Sequence, residues 1–286
     1  GGLRNCKFKR RNCKLDRLFG KEADCILEIS NQRSVCSMVL LEVRNLKKIY
    51  TTRFGSNPVH ALENVCFSVK EGEYVAIMGE SGSGKTTLLN ILACLDQPTE
   101  GEILLEGKDT LTIPERDISA FRRKNLGFVF QDFNLLDTFS IRDNIFLPLV
   151  LSGESYKSMN QKLRPIAERL RILDILGKYP YEVSGGQKQR AAVGRALITN
   201  PKLILADEPT AALDSKSSGE LLSMFDEINQ GGQTILMVTH SVQAASHAGR
   251  VLFIKDGQVF YEIGRKGKGP EQMYEEISHT LTMLTA

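Results

Sequence analysis

Gly79-Glu80-Ser81-Gly82-Ser83-Gly84-Lys85-Thr86 is the stretch whose reading decides the fold. It fits G-x-x-x-x-G-K-[ST], a phosphate-binding loop. The residues before it, Glu73-Tyr-Val-Ala-Ile-Met78, are apolar and partly β-branched and predict a short buried strand. The residues after it, Thr87–Leu95, carry an apolar face and predict a helix. Glycines at 79, 82 and 84 let backbone N–H groups approach an anion. The helix start, at Thr86 and Thr87, aims more N–H donors and a positive partial charge at the same point. Lys85 adds a mobile charge for the outer phosphates. The Thr86 hydroxyl is the expected ligand for Mg²⁺, an ion that takes oxygen donors and keeps several waters. The plainer alternative is a Gly-Ser turn between strand and helix, which leaves Lys-Thr at the helix start without a purpose. Alone, the loop indicates a nucleoside triphosphate but not what its energy is used for.

A second stretch has matching chemistry. Leu203-Ile-Leu-Ala206 predicts a buried strand that delivers Asp207 and Glu208 at its tip. In a Mg²⁺-nucleotide site, Asp207 would hold the metal, directly or through water, and Glu208 would orient or deprotonate the attacking water. The alternative is an acidic pair that caps the next helix.

Three further residues are ambiguous by themselves. Gln131 ends a predicted strand, Gly127–Phe130, and suits a Mg²⁺ or water contact as well as a solvated loop. His240 ends the predicted strand Thr234–Thr239; it suits a γ-phosphate contact or an ordinary loop histidine. Tyr50 suits stacking on adenine or packing on a sheet edge. Ser184-Gly185-Gly186-Gln187 leads a helix and makes a second anion nest, which one bound nucleotide does not obviously require.

Around these motifs the chain reads as short strands and helices. Strands are expected at Val39–Val43, Lys47–Tyr50, Ala61–Val69 and Ile103–Leu105, with a helix over Pro114–Lys124. Residues 132–186 read as a helical insert with helices over Ile141–Leu147 and Met159–Leu176, the second on a stripe of Leu163, Ile166, Ala167, Leu170, Leu173 and Leu176. Helices at Ser217–Asn229 and Val242–His247 and a hairpin about Asp256-Gly257 close the core, and an amphipathic helix near Pro270–Leu284 ends the chain.

The 286 residues suffice for a large core. No apolar run approaches bilayer length, and Pro148 interrupts Ile145–Leu151. No signal peptide follows the basic N-terminus, so a cytosolic location with reduced thiols is expected. Residues 1–37 carry nine Lys/Arg against four Asp/Glu and four of the six cysteines, Cys6, Cys13, Cys25 and Cys36. No pair has C-x₂-C spacing, which speaks against a zinc site. This leader is expected to lie outside the fold. Of the chain's net +3, the leader holds +5, so the remainder is −2 and has no nucleic-acid footprint.

Taken together these residues resemble the ATP-binding-cassette (ABC) ATPases, over about residues 40–260. The order matches: aromatic Tyr50, loop 79–86, Gln131, signature Val183-Ser-Gly-Gly-Gln187, Asp207-Glu208, Ala212-Leu213-Asp214 and switch His240. The resemblance implies an α/β P-loop NTPase (RecA-like) core with an antiparallel β subdomain and a helical subdomain. The ATPase domain would span 38–262 and an amphipathic tail 263–286. It further implies ATP and Mg²⁺ as cofactors, with Thr86, Gln131 and Asp207 on the metal. Lys85, Gln131, Glu208 and His240 would serve catalysis; Tyr50, residues 79–87 and Ser184–Gln187 would bind nucleotide. Family members pair head to tail, so that the nest of one copy closes on the γ-phosphate of the other, which accounts for the second nest.

The pattern departs at Val183, where Leu is usual, and at Ala211, where a serine is usual. The run Phe128–Leu136 resembles the group serving macrolide export, lipoprotein release and FtsE-type complexes, and the tail resembles the bacitracin-resistance type. These pair with a separate FtsX/MacB-like or BceB-like permease, which would hold the ATPase at the inner face of the membrane. Phe133, Leu135 and Leu136 are candidate permease contacts or subdomain packing. A nucleic-acid or ribosome-acting ABC protein is the rival; one uninterrupted cassette without heptads argues against it.

Overall fold

The computed structural model describes residues 38–51 and 58–285. The expectations for the leader 1–37, its cysteines included, and for the loop around Gly55 lie outside these residues. The described chain opens with β1 (Val39–Tyr50), β2 (Val59–Lys70), β3 (Tyr74–Met78) and α1 (Lys85–Leu92). Then come β4 (Glu100–Leu105), β5 (Lys108–Asp109), α2 (Glu115–Asn125) and β6 (Leu126–Val129). The helices α3 (Ile141–Val150), α4 (Tyr156–Arg169) and α5 (Gly185–Leu197) follow. They lead to β7 (Leu203–Asp207), α6 (Ser215–Gln230), β8 (Thr234–Thr239) and α7 (Val242–Ser246). The fold closes with β9 (Arg250–Lys255), β10 (Gln258–Gly264) and α8 (Pro270–Thr285).

Two sheets form. The first is antiparallel, in the order β2-β1-β4-β5; the second has the order β10-β9-β3-β8-β7-β6. In the second sheet β9, β3, β8, β7 and β6 are parallel and only β10 runs against its neighbour. Parallel strands with both faces covered must be apolar throughout. β3 meets that demand, since all five of its residues are buried. Val75 and Ile77 join Val43, Leu62, Leu88 and Leu236 in one core, toward the antiparallel sheet. Ala76 and Met78 join Ile145, Ile204, Phe225 and Met237 in the other, toward the helices. The strand-face alternation therefore sorts one strand into two cores.

The expected α/β fold with its antiparallel and helical parts is the observed one, with three local corrections. The two strands expected at Val39–Val43 and Lys47–Tyr50 are one strand, β1, whose register against β2 shifts repeatedly. Asn45 takes φ 46° there, so the apolar alternation breaks while the strand continues. The helix expected over Met159–Leu176 ends at Arg169, because Arg171 turns left-handed at φ 54°. A 3₁₀ turn over Leu173–Ile175 follows and buries Ile172 and Ile175, whereas Leu173 is exposed. The helix expected to follow Ser184–Gln187 starts at Gly185, inside that nest. Among the described residues, no helix is long and apolar enough to cross a membrane.

Candidate nucleotide site

Sheet topology assembles the site. β3, β8, β7 and β6 are adjacent and parallel, so their C-terminal ends share one edge of the sheet. Open α/β sheets bind ligands at that edge. The phosphate-loop residues follow β3, His240 follows β8, Glu208 follows β7 and Gln131 follows β6. Residues scattered over more than a hundred positions thus hang from one rim.

The loop has the cradle geometry. Gly84 is the N-cap of α1 with φ 97°, and a Cβ there would lie 2.3 Å from the Ala61 carbonyl oxygen. Only glycine fits. Lys85 is buried, and its Nζ donates to the carbonyls of Gly79 at 2.8 Å and Glu80 at 2.7 Å. Burial pushes the Lys85 ammonium below its usual pKa, against the pull of Glu208 and Asp207. Thr86 is exposed and Thr87 half-buried on the first turn of α1. Glu80, Ser81 and Gly82 are exposed, while Ser83 is buried with its Oγ unpartnered among the described residues.

Asp207 and Glu208 share the tip of β7 but differ in surroundings. Burial first, and then the Glu208 charge, push the Asp207 carboxyl above the usual carboxylate range, against the pull of Lys85. Its Oδ1 is buried and accepts no hydrogen bond among the described residues. A buried, unpartnered carboxylate oxygen next to a phosphate loop suits a cation or its water. Glu208 takes φ 45°, a left-handed conformation unusual for glutamate. Its carboxylate is fixed by three groups. Thr239 Oγ1 donates to Oε2 at 3.0 Å and the His240 amide donates to Oε2 at 3.2 Å. His240 Nδ1 lies 2.8 Å from Oε1. A carboxylate only accepts, so Nδ1 carries the hydrogen.

The remaining expected residues are placed as follows. Gln131 is exposed directly after Phe130. Tyr50 is 42 % exposed; its hydroxyl donates to Asp96 at 2.8 Å and Lys48 Nζ sits 4.7 Å from its ring centre. The ring stands at the end of β1, with its hydroxyl held by Asp96. Ser184 is the N-cap of α5 and forms a capping box with Gln187: Gln187 N donates to Ser184 Oγ, and Ser184 N donates to Gln187 Oε1 at 2.9 Å. The first amides of α5, from Gly185 and Gly186, have no partner inside the helix. A Cβ on Gly186 would lie 3.0 Å from Ser217 Oγ and 3.1 Å from Ser217 Cβ on α6. Phe133 and Leu135 are half-buried, Leu135 against the helical core, and Leu136 is 47 % exposed.

Some contributors were not visible to sequence reasoning. Thr239 was counted as the end of a strand, yet its hydroxyl grips Glu208. Gln189 and Arg195 on α5 reach backbone carbonyls at the exits of β6 and β7. One signal did exist for Gln189. It lies at helical spacing with Ala192, Val193 and Ala196, all buried, so it was a polar residue on an apolar stripe.

A fold whose parallel rim gathers a phosphate loop, two acids and a histidine, with a second nest opening a helix, is that of an ATP-binding cassette. A sequence profile of the ABC transporter family matches residues 62–211, and the chain belongs to this family. It is an ATP-binding, ATP-hydrolysing subunit of an ABC transporter. It is 49 % identical over 246 residues to the ABC transporter ATP-binding protein YxdL of Bacillus subtilis (strain 168), covering 86 % of this chain and 94 % of that one. To the bacitracin export ATP-binding protein BceA of Halalkalibacterium halodurans it is 44 % identical over 248 residues, covering 86 % and 97 %. A dimeric, post-hydrolysis structure of the cassette MJ0796 of Methanocaldococcus jannaschii, bound to ADP and Pi, superposes with a TM-score of 0.72 at 37 % identity. That match covers 79 % of this chain and 98 % of the other.

Proposed function

We propose that this subunit powers a separate membrane permease for a peptide antibiotic of the bacitracin type. Its similarity to a bacitracin export ATP-binding protein along nearly the whole of that relative supports the substrate class. Residues Gly79–Thr87 bind the phosphates of ATP, and Tyr50 faces the adenine. Thr86, Gln131 and Asp207 hold Mg²⁺, which would neutralise developing phosphate charge when bound. Glu208 activates water, with His240 beside it. The observation that carries the site is the Glu208 carboxylate, held at the β7 tip by Thr239 and by both the amide and the ring of His240.

The reading extends to a second copy. Ser184–Gln187 of one chain closes on the nucleotide held by its mate, as the dimeric MJ0796 cassette makes reasonable. Residues 38–262 form the ATPase domain and 263–286 a helical tail, so removing residues 1–37 leaves turnover intact. Phe133 and Leu136 face the permease, at the cytoplasmic side of the membrane. A permease of the lipoprotein-release, macrolide-export or FtsE type is the second reading. Susceptibility decides between them: a strain lacking the gene should become sensitive to bacitracin and unchanged toward macrolides. Macrolide sensitivity alone would transfer the assignment to the second reading.

A further inference from the structure

Gln189 lies on the first turns of α5, is fully buried and has an unusual task. Its Nε2 donates to the Phe130 carbonyl at 3.2 Å and to the Pro209 carbonyl at 2.8 Å. Phe130 is the residue before Gln131, and Pro209 is the residue after Glu208. The ladder between β6 and β7 stops at Val129 and Ala206, so it joins neither carbonyl to the other. One amide ties together the two loops that carry Gln131 and Glu208.

The orientation of this amide is dictated. Both neighbours are carbonyl oxygens, which only accept, so the nitrogen must face them. Oε1 is then left buried without a partner among the described residues. Burying an unmet acceptor is unfavourable, and an apolar side chain of the same length would avoid the penalty. It would also leave the Phe130 and Pro209 carbonyls without their donor, so what glutamine supplies is the tie between the two loops. The same helix holds the far side of the loop through Arg195, whose guanidinium donates to the carbonyls of Phe133 and Asn134. Phe133 and Asn134 take φ 61° and 48°, a conformation that needs such support.

We propose that Gln189 is a positioning residue for ATP hydrolysis: its amide fixes the spacing between Gln131 and Glu208 by holding the carbonyls beside them. Fully buried and bonded to backbone, it would act through those two residues, and the proposal rests on the roles given above to Gln131 and Glu208. Misplacing reacting groups by about an ångström costs on the order of a hundredfold in rate without loss of binding.

The test uses the full chain and steady-state ATPase kinetics. Gln189→Met keeps the shape and removes both donors. Its kcat should fall about ten- to a hundredfold, while KM for ATP and the affinity for a fluorescent ATP analogue stay within about threefold. Combined with Gln131→Ala, the losses should fall short of multiplying, because part of what Gln189 holds, the placement of Gln131, is already gone. Parental kcat in Gln189→Met, or losses that multiply in the double variant, would overturn the proposal. If the Met variant does not fold, Gln189→Asn retains the amide but shortens its reach; it should show the same kcat loss, and parental kcat there is equally fatal. Full turnover in Gln131→Ala and Glu208→Gln would instead remove the site reading, and this proposal with it. Full turnover in Gln189→Met alone removes only this proposal.

Discussion

His240 Nδ1 lies 2.8 Å from Glu208 Oε1, although the two residues are separated by 32 positions and leave different strands. The pair is asymmetric in exposure: the glutamate side chain is 13 % accessible and the imidazole 70 %. One partner is therefore fixed and the other faces outward. With Nδ1–H committed to Glu208, a neutral ring presents Nε2 as an acceptor. Donation from Nε2 to a phosphate oxygen requires the doubly protonated ring or release from Glu208.

Glu208→Gln conserves the shape of the pair but removes the base. ATP hydrolysis should fall by about a hundred- to ten-thousandfold, with ATP binding retained. Gel filtration with Mg·ATP should show the variant accumulating as a dimer while the parent does not. Parental turnover in a phosphate-release assay would dismiss Glu208 as the water-activating group.

Lys85 donates to the carbonyls of Gly79 and Glu80, which hold its ammonium within the phosphate loop. A charge-assisted bond to phosphate is stronger than one to a neutral carbonyl. Lys85→Ala should weaken ATP at least about tenfold in titration calorimetry. Unchanged affinity would mean that the phosphates sit elsewhere.

Asp207 has its pKa raised by burial and by Glu208, so folding favours its neutral form. A raised acid contributes stability below its unfolded pKa and loses it as pH rises through the higher folded value. At neutral pH the charged carboxylate is thus a burden on the nucleotide-free fold. Asp207→Asn should raise Tm without nucleotide, each kcal/mol giving about 2–4 °C in a chain of this size. The gain should shrink as pH is lowered into the acid range, and Mg²⁺-dependent turnover should drop sharply. A lower Tm at neutral pH in scanning fluorimetry would contradict the burial argument.

Gly186 faces Ser217, whose Oγ is held by Asp214 at 2.8 Å and cannot easily swing aside. Gly186→Ala should destabilise by about 1–3 kcal/mol through overpacking, more than the roughly 1 kcal/mol gained in helix propensity. In a Ser217→Gly background the same change should become neutral or stabilising. Thermal melts of the four proteins decide the matter, and simple additivity would show that packing is not the reason for glycine.

What was legible in the sequence was whatever depends on local pattern. The phosphate loop, the buried runs of β3, β7 and β8 and the acids at the β7 tip followed from residue type and spacing. Boundaries failed where backbone conformation departs from the apolar period. Arg171 ends α4 by turning left-handed, while Ile175 in the 3₁₀ turn and Leu176 after it continue to bury apolar surface. The stripe holds except at Leu173, whereas the helix stops at Arg169. Gln131, His240 and Tyr50 stayed ambiguous because each is defined by distant neighbours; the resemblance, not the local pattern, selected them. Thr239, Gln189 and Arg195 escaped notice for the same reason. Their partners are a carboxylate and backbone carbonyls far along the chain, and a carbonyl leaves no trace in the letter of a residue.

One consequence belongs to α5. Its thirteen residues make a rod of about 20 Å. On the proposed reading, the rod's tip would bear the nest offered to the mate's ATP, and its flank would steady the loops around the chain's own. Each pocket of an assembled pair is then mechanically answerable to the other, so turnover should respond to ATP concentration as a sigmoid rather than a hyperbola. Cutting the flank contacts should straighten that curve before it abolishes either pocket.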